Sequence, residues 1–243
     1  MTSKEGDERG PKPFNFGSAP AEEVGTAADL QRTAQHIDCV SKSGDTITTQ
    51  PKGKTMPLTQ LDATAALVVI DLQKGVVGLP TVHPVGEIIG RAAQLARAFR
   101  ERGLPVVLVN VTGAAPGRTD AGIPKFSFPA DWTELVPELE QHPSDQLVTK
   151  QRWGAFNGTS LDDYLRQRGA TQVVLTGVAT SIGVESTARS AYDFGYNVAL
   201  VVDAMTDRDA DGHRHSVEKI FPRLGETDTT DNVLKLLKEP PPR

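Results

Sequence analysis

Short apolar runs that contain no polar residue alternate along this chain with segments of helical periodicity, and this alternation constrains the fold most. The run Ala65–Ile70 is wholly apolar, as expected of a strand that is buried on both faces. The segment from Glu87 to Arg102 follows, with apolar residues at helical spacing and Gly103 directly after it. Strands that alternate with helices and end at glycine or proline predict an α/β fold, a three-layer α-β-α sandwich with a mainly parallel, doubly wound sheet.

The same alternation continues through the second half of the chain. Ligands of such folds bind at the carboxyl ends of the strands, so the residues that follow each strand are the place to look for chemistry. Further strands are predicted at Pro105–Val111, Gln146–Thr149, Gln172–Thr176 and Asn197–Val202, and further helices after Ser160, over Val184–Phe194, near His213–Ile220 and over Thr230–Leu237.

Composition narrows the classes of function. The chain has 243 residues, one cysteine and a formal net charge of −5. This charge gives no general attraction to nucleic acid, and one cysteine can form neither an internal disulfide nor a Cys₄ zinc site. No apolar run has the length of a membrane span, and the charged N-terminus lacks the apolar core of a secretory signal. We therefore expect a cytoplasmic protein that binds neither nucleic acid nor membrane.

Residues 1–55 differ in composition from the rest of the chain. They are rich in glycine, proline, serine and threonine, and they contain the single cysteine, Cys39. We interpret them as a polar N-terminal extension, either partly disordered or an arm that packs on a neighbouring subunit. Residues 56–243 are predicted to form the folded domain.

Three separate segments place polar groups at the carboxyl ends of the predicted strands. Asp71 directly follows the first strand, Lys150 follows the third, and the turn Thr176–Gly183 follows the fourth and leads into a helix. Taken singly, each has an ordinary structural explanation: an Asx turn, a solvated loop and a helix start. Because parallel strands end at one edge of the sheet, their convergence predicts a functional site there.

These segments resemble the isochorismatase-like hydrolases, a family that includes nicotinamidases, N-carbamoylsarcosine amidases and isochorismatases. The order and spacing of the motifs hold over residues 58–237. The matching stretches are Ala66–Gln73, then Lys150 with Gly154–Phe156, Gly158, Thr159 and Leu161, and then Gly177–Arg189.

The resemblance implies roles for individual residues. In the amidase members, Asp, Lys and Cys form a catalytic triad; here Asp71 and Lys150 match, but the position of the cysteine is held by Gly183. The resemblance also implies a cis peptide bond at Val178-Ala179 and an anion site made by the backbone amides of Ala179 and Gly183. Cys39 lies outside the resemblance, so we interpret it as a bystander.

The resemblance also bears on metal and assembly. Nicotinamidases bind a zinc-type ion through an Asp-x-His pair after the second strand, but residues 110–117 of this chain contain neither residue type. We therefore predict no catalytic metal and no cofactor. Members of the family are commonly dimers or tetramers, so a homo-oligomer that acts on a small molecule is expected.

Without a cysteine nucleophile, acid catalysis is the simplest chemistry left. Isochorismatases also carry glycine at this position, and hydrolysis of a vinyl ether needs a proton donor rather than a nucleophile. We assign that proton to Asp71, with Lys150 positioning it; the nearby ammonium lowers a carboxyl pKa, so burial has to raise it. Two alternatives stay open: a retired scaffold that only binds a ligand or partner, and an amidase that uses Ser181 or Thr180.

Four further residues are candidates for substrate contacts. Gln73 is predicted to orient the acid. Trp153 and Phe156 either line the pocket or pack in the core. Arg118, on the loop after the second strand, either binds an anionic substrate or is solvated.

Overall fold

The computed structural model describes residues 57–120 and 129–239. The predicted N-terminal extension and Cys39 lie outside the described residues. Among the described residues, no helix combines the length and the apolar character that crossing a bilayer requires.

Six parallel strands form one sheet in the order β3-β2-β1-β4-β5-β6. The chain winds outward from the central β1 first to one edge and then to the other, so the predicted doubly wound sheet is confirmed. The last strand was not predicted from the sequence. The strands are β1 (Ala65–Ile70), β2 (Val106–Val111), β3 (Gln146–Lys150), β4 (Gln172–Val178), β5 (Asn197–Thr206) and β6 (Glu226–Asp228).

Helices cover both faces of the sheet, as predicted for a three-layer sandwich. A 3₁₀ turn at Pro137–Leu139 precedes β3, and π-helical turns at Thr180–Val184 and Ser216–Ile220 each adjoin a helix. The α-helices are α1 (Lys74–Val77), α2 (Val85–Glu101), α3 (Leu161–Gln167), α4 (Glu185–Asp193), α5 (Ala210–His215), α6 (Phe221–Leu224) and α7 (Thr230–Lys238).

Alternating side chains of β1 explain why its sequence contains no polar residue. Leu67 and Val69 point into a core with Phe99 of α2, whereas Val68 and Ile70 point into the opposite core with residues of α3 and α4. Every residue of β1 is buried. Burial of each large side chain stabilises the fold by about 1.5–3 kcal/mol, and this two-sided packing fixes the strand end from which the next residue, Asp71, projects.

Candidate active site

Asp71 lies at the carboxyl end of β1, in an unusual backbone conformation. Its φ angle is 51°, in the left-handed region that aspartate tolerates better than most residues. Its amide donates to the carbonyl oxygen of Val109 on β2 at 2.9 Å. The side chain is buried, so the turn after β1 places a carboxyl group inside the protein.

Lys150 reaches this carboxyl group from the last position of β3. Its Nζ donates to Asp71 Oδ2 at 2.7 Å and to the carbonyl oxygen of Arg152 at 3.2 Å. The side chains of Lys150 and Asp71 are only 2% and 8% exposed. The two partners thus form a buried ion pair across the end of the intervening strand, β2.

Burial decides the protonation of Asp71. It raises the pKa of the carboxyl group to about 6, against the charge of Lys150 and its hydrogen bond, which both lower the pKa. Asp71 Oδ1 is buried and has no hydrogen-bond partner among the described residues. A proton on this group is therefore available at Oδ1, while Oδ2 is occupied by the ammonium.

The turn that follows β4, Ala179–Val184, faces this pair, and we call it the β4 turn. The Val178-Ala179 peptide bond is cis, as the resemblance implied. The carbonyl oxygen of Ala179 accepts hydrogen bonds from the amides of Ile182 and Val184. These contacts close the turn into a single π-helical loop.

Gly183 places backbone directly against Asp71. A β-carbon built at Gly183 would lie 3.3 Å from Asp71 Oδ2 and 3.0 Å from Ile70 Cγ2. The structure therefore brings Asp71, Lys150 and Gly183 together, as their positions after separate strands predicted. Position 183 carries no side chain, so it supplies no nucleophile to the carboxyl group that it faces.

Gln73 does not orient the acid, which corrects the prediction. Its side-chain amide donates to the carbonyl oxygens of Val111 and Trp132, both at 3.0 Å, and accepts from the amide of Val111 at 2.7 Å. The residue is fully buried. It instead ties the start of α1 to the end of β2, and so holds the loop that follows Asp71.

The two aromatic candidates differ in location. Phe156 is buried in the core, with its ring 5.3 Å from that of Phe194 and 5.9 Å from that of Tyr196, so of its two predicted locations the structure shows core packing and not the pocket wall. Trp153 is 65% exposed, so it does not pack in the core of this chain. Arg118 is also exposed, on the loop after β2; the roles of Trp153 and Arg118 in substrate binding stay predictions.

The hydroxyl groups considered as nucleophiles point elsewhere. Thr180 is fully buried, and its Oγ1 lies 2.9 Å from Nδ1 of His213. Ser181 Oγ faces α5, where it would lie 3.2 Å from a β-carbon at Gly212. The contact of His213 was not predicted from the sequence, because nothing in the spacing of α5 and the β4 turn indicates that their side chains meet.

A cavity of about 340 Å³ lies between the loops that follow β2 and β3, and its lining includes Thr149 and Gln151, the chain neighbours of Lys150. Its lining also includes Arg152 and Asn157. The backbone of Arg152 holds Lys150, and its guanidinium forms no ion pair with another described residue. Arg152, which the sequence did not single out, is thus an exposed cation that lines this cavity, and its backbone carbonyl contacts Lys150 of the buried pair.

Side chains that could hold a metal ion are not grouped in the described part of the chain. Within residues 57–120 and 129–239, no three or more His, Cys, Asp or Glu side chains are placed to share an ion.

Comparisons with known proteins agree on one family. The model of the isochorismatase domain matches residues 65–232. An uncharacterized isochorismatase family protein of Bacillus subtilis (strain 168), YwoC, is 42% identical over 180 residues, which cover 71% of this chain and 94% of the relative. A solved structure of an isochorismatase family protein from Burkholderia thailandensis matches with a TM-score of 0.72 and 43% identity, covering 74% of this chain and 98% of that one. A more distant relative, the ureidoacrylate amidohydrolase RutB of Pseudomonas syringae pv. syringae (strain B728a), is 29% identical over 179 residues, or 61% of this chain and 73% of the relative.

Proposed function

The chain belongs to the isochorismatase family of hydrolases, and we propose that it hydrolyses a small anionic substrate by acid catalysis from Asp71, with cleavage of an isochorismate-type vinyl ether as the reaction. One observation carries this proposal. The Asp71 carboxyl group is buried, its pKa is raised to about 6, and its Oδ1 has no partner among the described residues. Such a group holds a proton near the operating pH, as a general acid needs to.

The reaction follows from where that proton goes. Asp71 Oδ1 donates it to the terminal carbon of the vinyl ether, and an oxocarbenium ion forms at the carbon that carries the ether oxygen. Water adds to that carbon, and the carboxylate of Asp71 takes up the proton that the water loses. The resulting hemiketal breaks down to pyruvate and the free alcohol, so one water is consumed and the acid is restored.

Gly183 fits this chemistry better than it fits amide hydrolysis. A covalent acyl intermediate requires a nucleophilic side chain beside the acid–base pair, and the residue that faces Asp71 has none. Protonation of carbon requires no such side chain. The backbone amides of Ala179 and Gly183 remain our candidates for binding an anionic group of the substrate.

An anionic substrate is favoured by the charge beside the site. Arg152 contacts Lys150 through its backbone and lines the cavity between the loops after β2 and β3, without an ion-pair partner among the described residues. A guanidinium binds a carboxylate in a bidentate manner. We therefore assign Arg152 to a carboxylate of the substrate and keep Arg118 as the second candidate for this role.

The direct test is an assay of pyruvate release from isochorismate by the purified chain. Turnover supports the proposal. A ligand that raises the melting temperature without being turned over, across a panel of ethers, esters and amides, would instead support a retired binding scaffold.

The pH dependence of kcat/KM should identify the catalytic form of Asp71. Since the acid acts while protonated, activity should fall about tenfold per pH unit above the pKa of about 6. A carboxylate acting as a base would give the opposite sign, with activity rising through the same pH. Steady-state kinetics between pH 4.5 and about 8.5, the range that brackets this pKa, with circular dichroism to confirm folding, distinguishes the two outcomes.

Arg152→Gln should raise KM about tenfold, because the loss of one charged hydrogen bond costs about 1.5 kcal/mol. The control is Arg97→Gln, which removes an exposed guanidinium whose only ion pair among the described residues is with Glu140. Arg118→Gln, measured in parallel, tests the other candidate. An unchanged KM for Arg152→Gln would remove this residue from the substrate site.

The second candidate function is a hydroxyl-dependent amidase. It is favoured by the hydrogen bond between Thr180 and His213 and by the amidohydrolase among the relatives. Burial of the threonine weighs against it. Mass spectrometry after incubation with amide substrates decides, because an acyl adduct on Thr180 or Ser181 is required by this mechanism.

A further inference from the structure

A cluster of polar side chains contacts the β4 turn from the region that follows β5. It consists of His83 before α2, Thr206 and Asp207 at the end of β5, and His213 on α5. We call these four residues the histidine cluster. None of them has a role in the acid chemistry proposed above, although two of them contact the β4 turn.

Hydrogen bonds fix how the two imidazole rings are arranged. His213 Nδ1 pairs with Thr180 Oγ1 at 2.9 Å, and His83 Nδ1 pairs with Thr206 Oγ1 at 3.1 Å. Thr206 Oγ1 also accepts from the backbone amide of His83 at 3.1 Å, so its own proton is free to go to the ring. The rings meet edge to face, with their centroids 4.7 Å apart.

Asp207 forms a second hydrogen bond to the β4 turn. Its Oδ2 accepts from the amide of Ser181 at 2.6 Å, and its Oδ1 accepts from the amides of Arg208 and Asp209. The consecutive residues Thr180 and Ser181 are therefore both tied to the region at the end of β5. Gly183 follows two residues later and faces Asp71.

The charges around His213 favour its neutral form. Burial lowers the pKa of His213, the neighbouring His83 lowers it further, and Asp207 opposes both. Thr180 is fully buried, so its hydroxyl proton needs an acceptor inside the protein. A neutral ring with its proton on Nε2 supplies that acceptor at Nδ1, whereas a protonated ring presents an N–H there and takes this acceptor away from the hydroxyl proton. The remaining charged groups nearby are Asp209, Asp211, Arg214 and His215 on or beside α5, and Glu185 at the start of α4.

We propose that His213 is a positioning residue, which in its neutral form accepts the hydrogen bond of Thr180 and so holds Gly183 against Asp71. Protonation of the ring removes that acceptor and shifts the β4 turn. The inference rests on the proposed function only for its effect on activity. The coupling between the ring and the turn is a property of the folded chain and is measured without substrate.

The test of the coupling is an NMR titration of the full chain. In the natural sequence, the backbone amides of Ser181 and Gly183 should shift with pH with the same midpoint as the His213 ring. In His213→Gln this titration should disappear, and in the matched control His215→Gln, which changes an exposed histidine on the same helix, it should persist. Thr180→Val should leave the His213 titration in place and uncouple it from Gly183, which separates a hydrogen-bonded link from a general effect of charge. The proposal would be overturned if the amide shifts of Ser181 and Gly183 did not titrate with the His213 ring. It would also be overturned if they titrated with the ring to the same extent in Thr180→Val.

The test on activity is the acidic side of the pH profile. With the natural chain, kcat/KM should fall at low pH with the midpoint of His213. In His213→Gln the side-chain oxygen offers the Thr180 hydroxyl an acceptor at every pH, so the acidic decline should disappear, while the decline above a pH of about 6 that belongs to Asp71 should remain. An acidic decline that His213→Gln leaves unchanged would contradict the role of the ring. If no substrate is turned over but the amide titration behaves as described, the proposed function fails while the positioning role stands.

Discussion

Asp71→Asn should lower kcat/KM by a factor of about 10² to 10⁴, the range measured when a general acid is removed. The amide has nearly the shape of the carboxyl group, but it carries no acidic proton to give to carbon. The buried position matters as well, because a carboxyl group that is only 5% exposed is shielded from the bulk water that could replace it as a donor. Release of pyruvate, followed continuously, measures the loss.

Two further variants keep this result interpretable. Asp131→Asn removes an exposed carboxylate that pairs with Lys74 at 3.3 Å, and it should leave kcat/KM unchanged. Asp71→Asn leaves the ammonium of Lys150 buried without its counter-charge, which is destabilising. The double variant Asp71→Asn with Lys150→Met removes that charge as well. Because it still lacks the acid, it should be inactive. Equal turnover by Asp71→Asn and the natural chain would end the acid mechanism.

Gly177→Ala should destabilise the fold by more than about 4 kcal/mol, a loss that only a few kinds of substitution produce. Gly177 lies in β4 beside Ile70 and has a φ angle of 119°, which an L-residue adopts only with strain. A β-carbon there would overlap the carbonyl oxygen of Ile70 and lie 2.7 Å from its nitrogen. Because these are backbone atoms of the central strand, the clash cannot be relieved by turning a side chain.

The control for this prediction is Gly90→Ala. Gly90 lies within α2, and a β-carbon there would meet nothing within 4 Å. Alanine is favoured over glycine inside a helix by about 0.5–1 kcal/mol, so this variant should be slightly more stable. Urea unfolding of both variants gives the two free energies, and a value for Gly177→Ala within about 1 kcal/mol of the natural chain, the size of an ordinary substitution, would contradict the steric argument.

The central strands of the sheet could be predicted from the sequence because a strand that is buried on both faces appears as a continuous run of apolar residues. β1 and β2 are almost entirely apolar, β4 is buried along its whole length, and each of the three strands appears at the predicted place. β6 (Glu226–Asp228) was missed because it is short and polar, and its pairing with β5 depends on backbone groups that composition does not report.

The residues of the candidate site likewise include some that the sequence predicts and some that it does not. Asp71, Lys150 and Gly183 were predicted to meet because the ends of parallel strands share one edge of the sheet, and the structure brings them together. The locations of Gln73 and Phe156 were not predictable, because both a site and a core accept an amide or an aromatic ring. The pair of Thr180 and His213 joins side chains 33 residues apart, and neither residue type nor spacing indicates such a contact.

Lys150 belongs to β3, one of the two edge strands of the sheet. Within residues 57–120 and 129–239, β3 pairs only with β2, and its Leu147 is 43% exposed. Local opening of this edge therefore requires less free energy than global unfolding. An opening confined to β3 would withdraw the ammonium from Asp71 while β1 and β4 stay folded. Only those folded molecules in which β3 is in place therefore keep the Asp71–Lys150 pair. Hydrogen exchange at the amides between β2 and β3 measures how often Asp71 is without Lys150, whereas calorimetry reports only global unfolding.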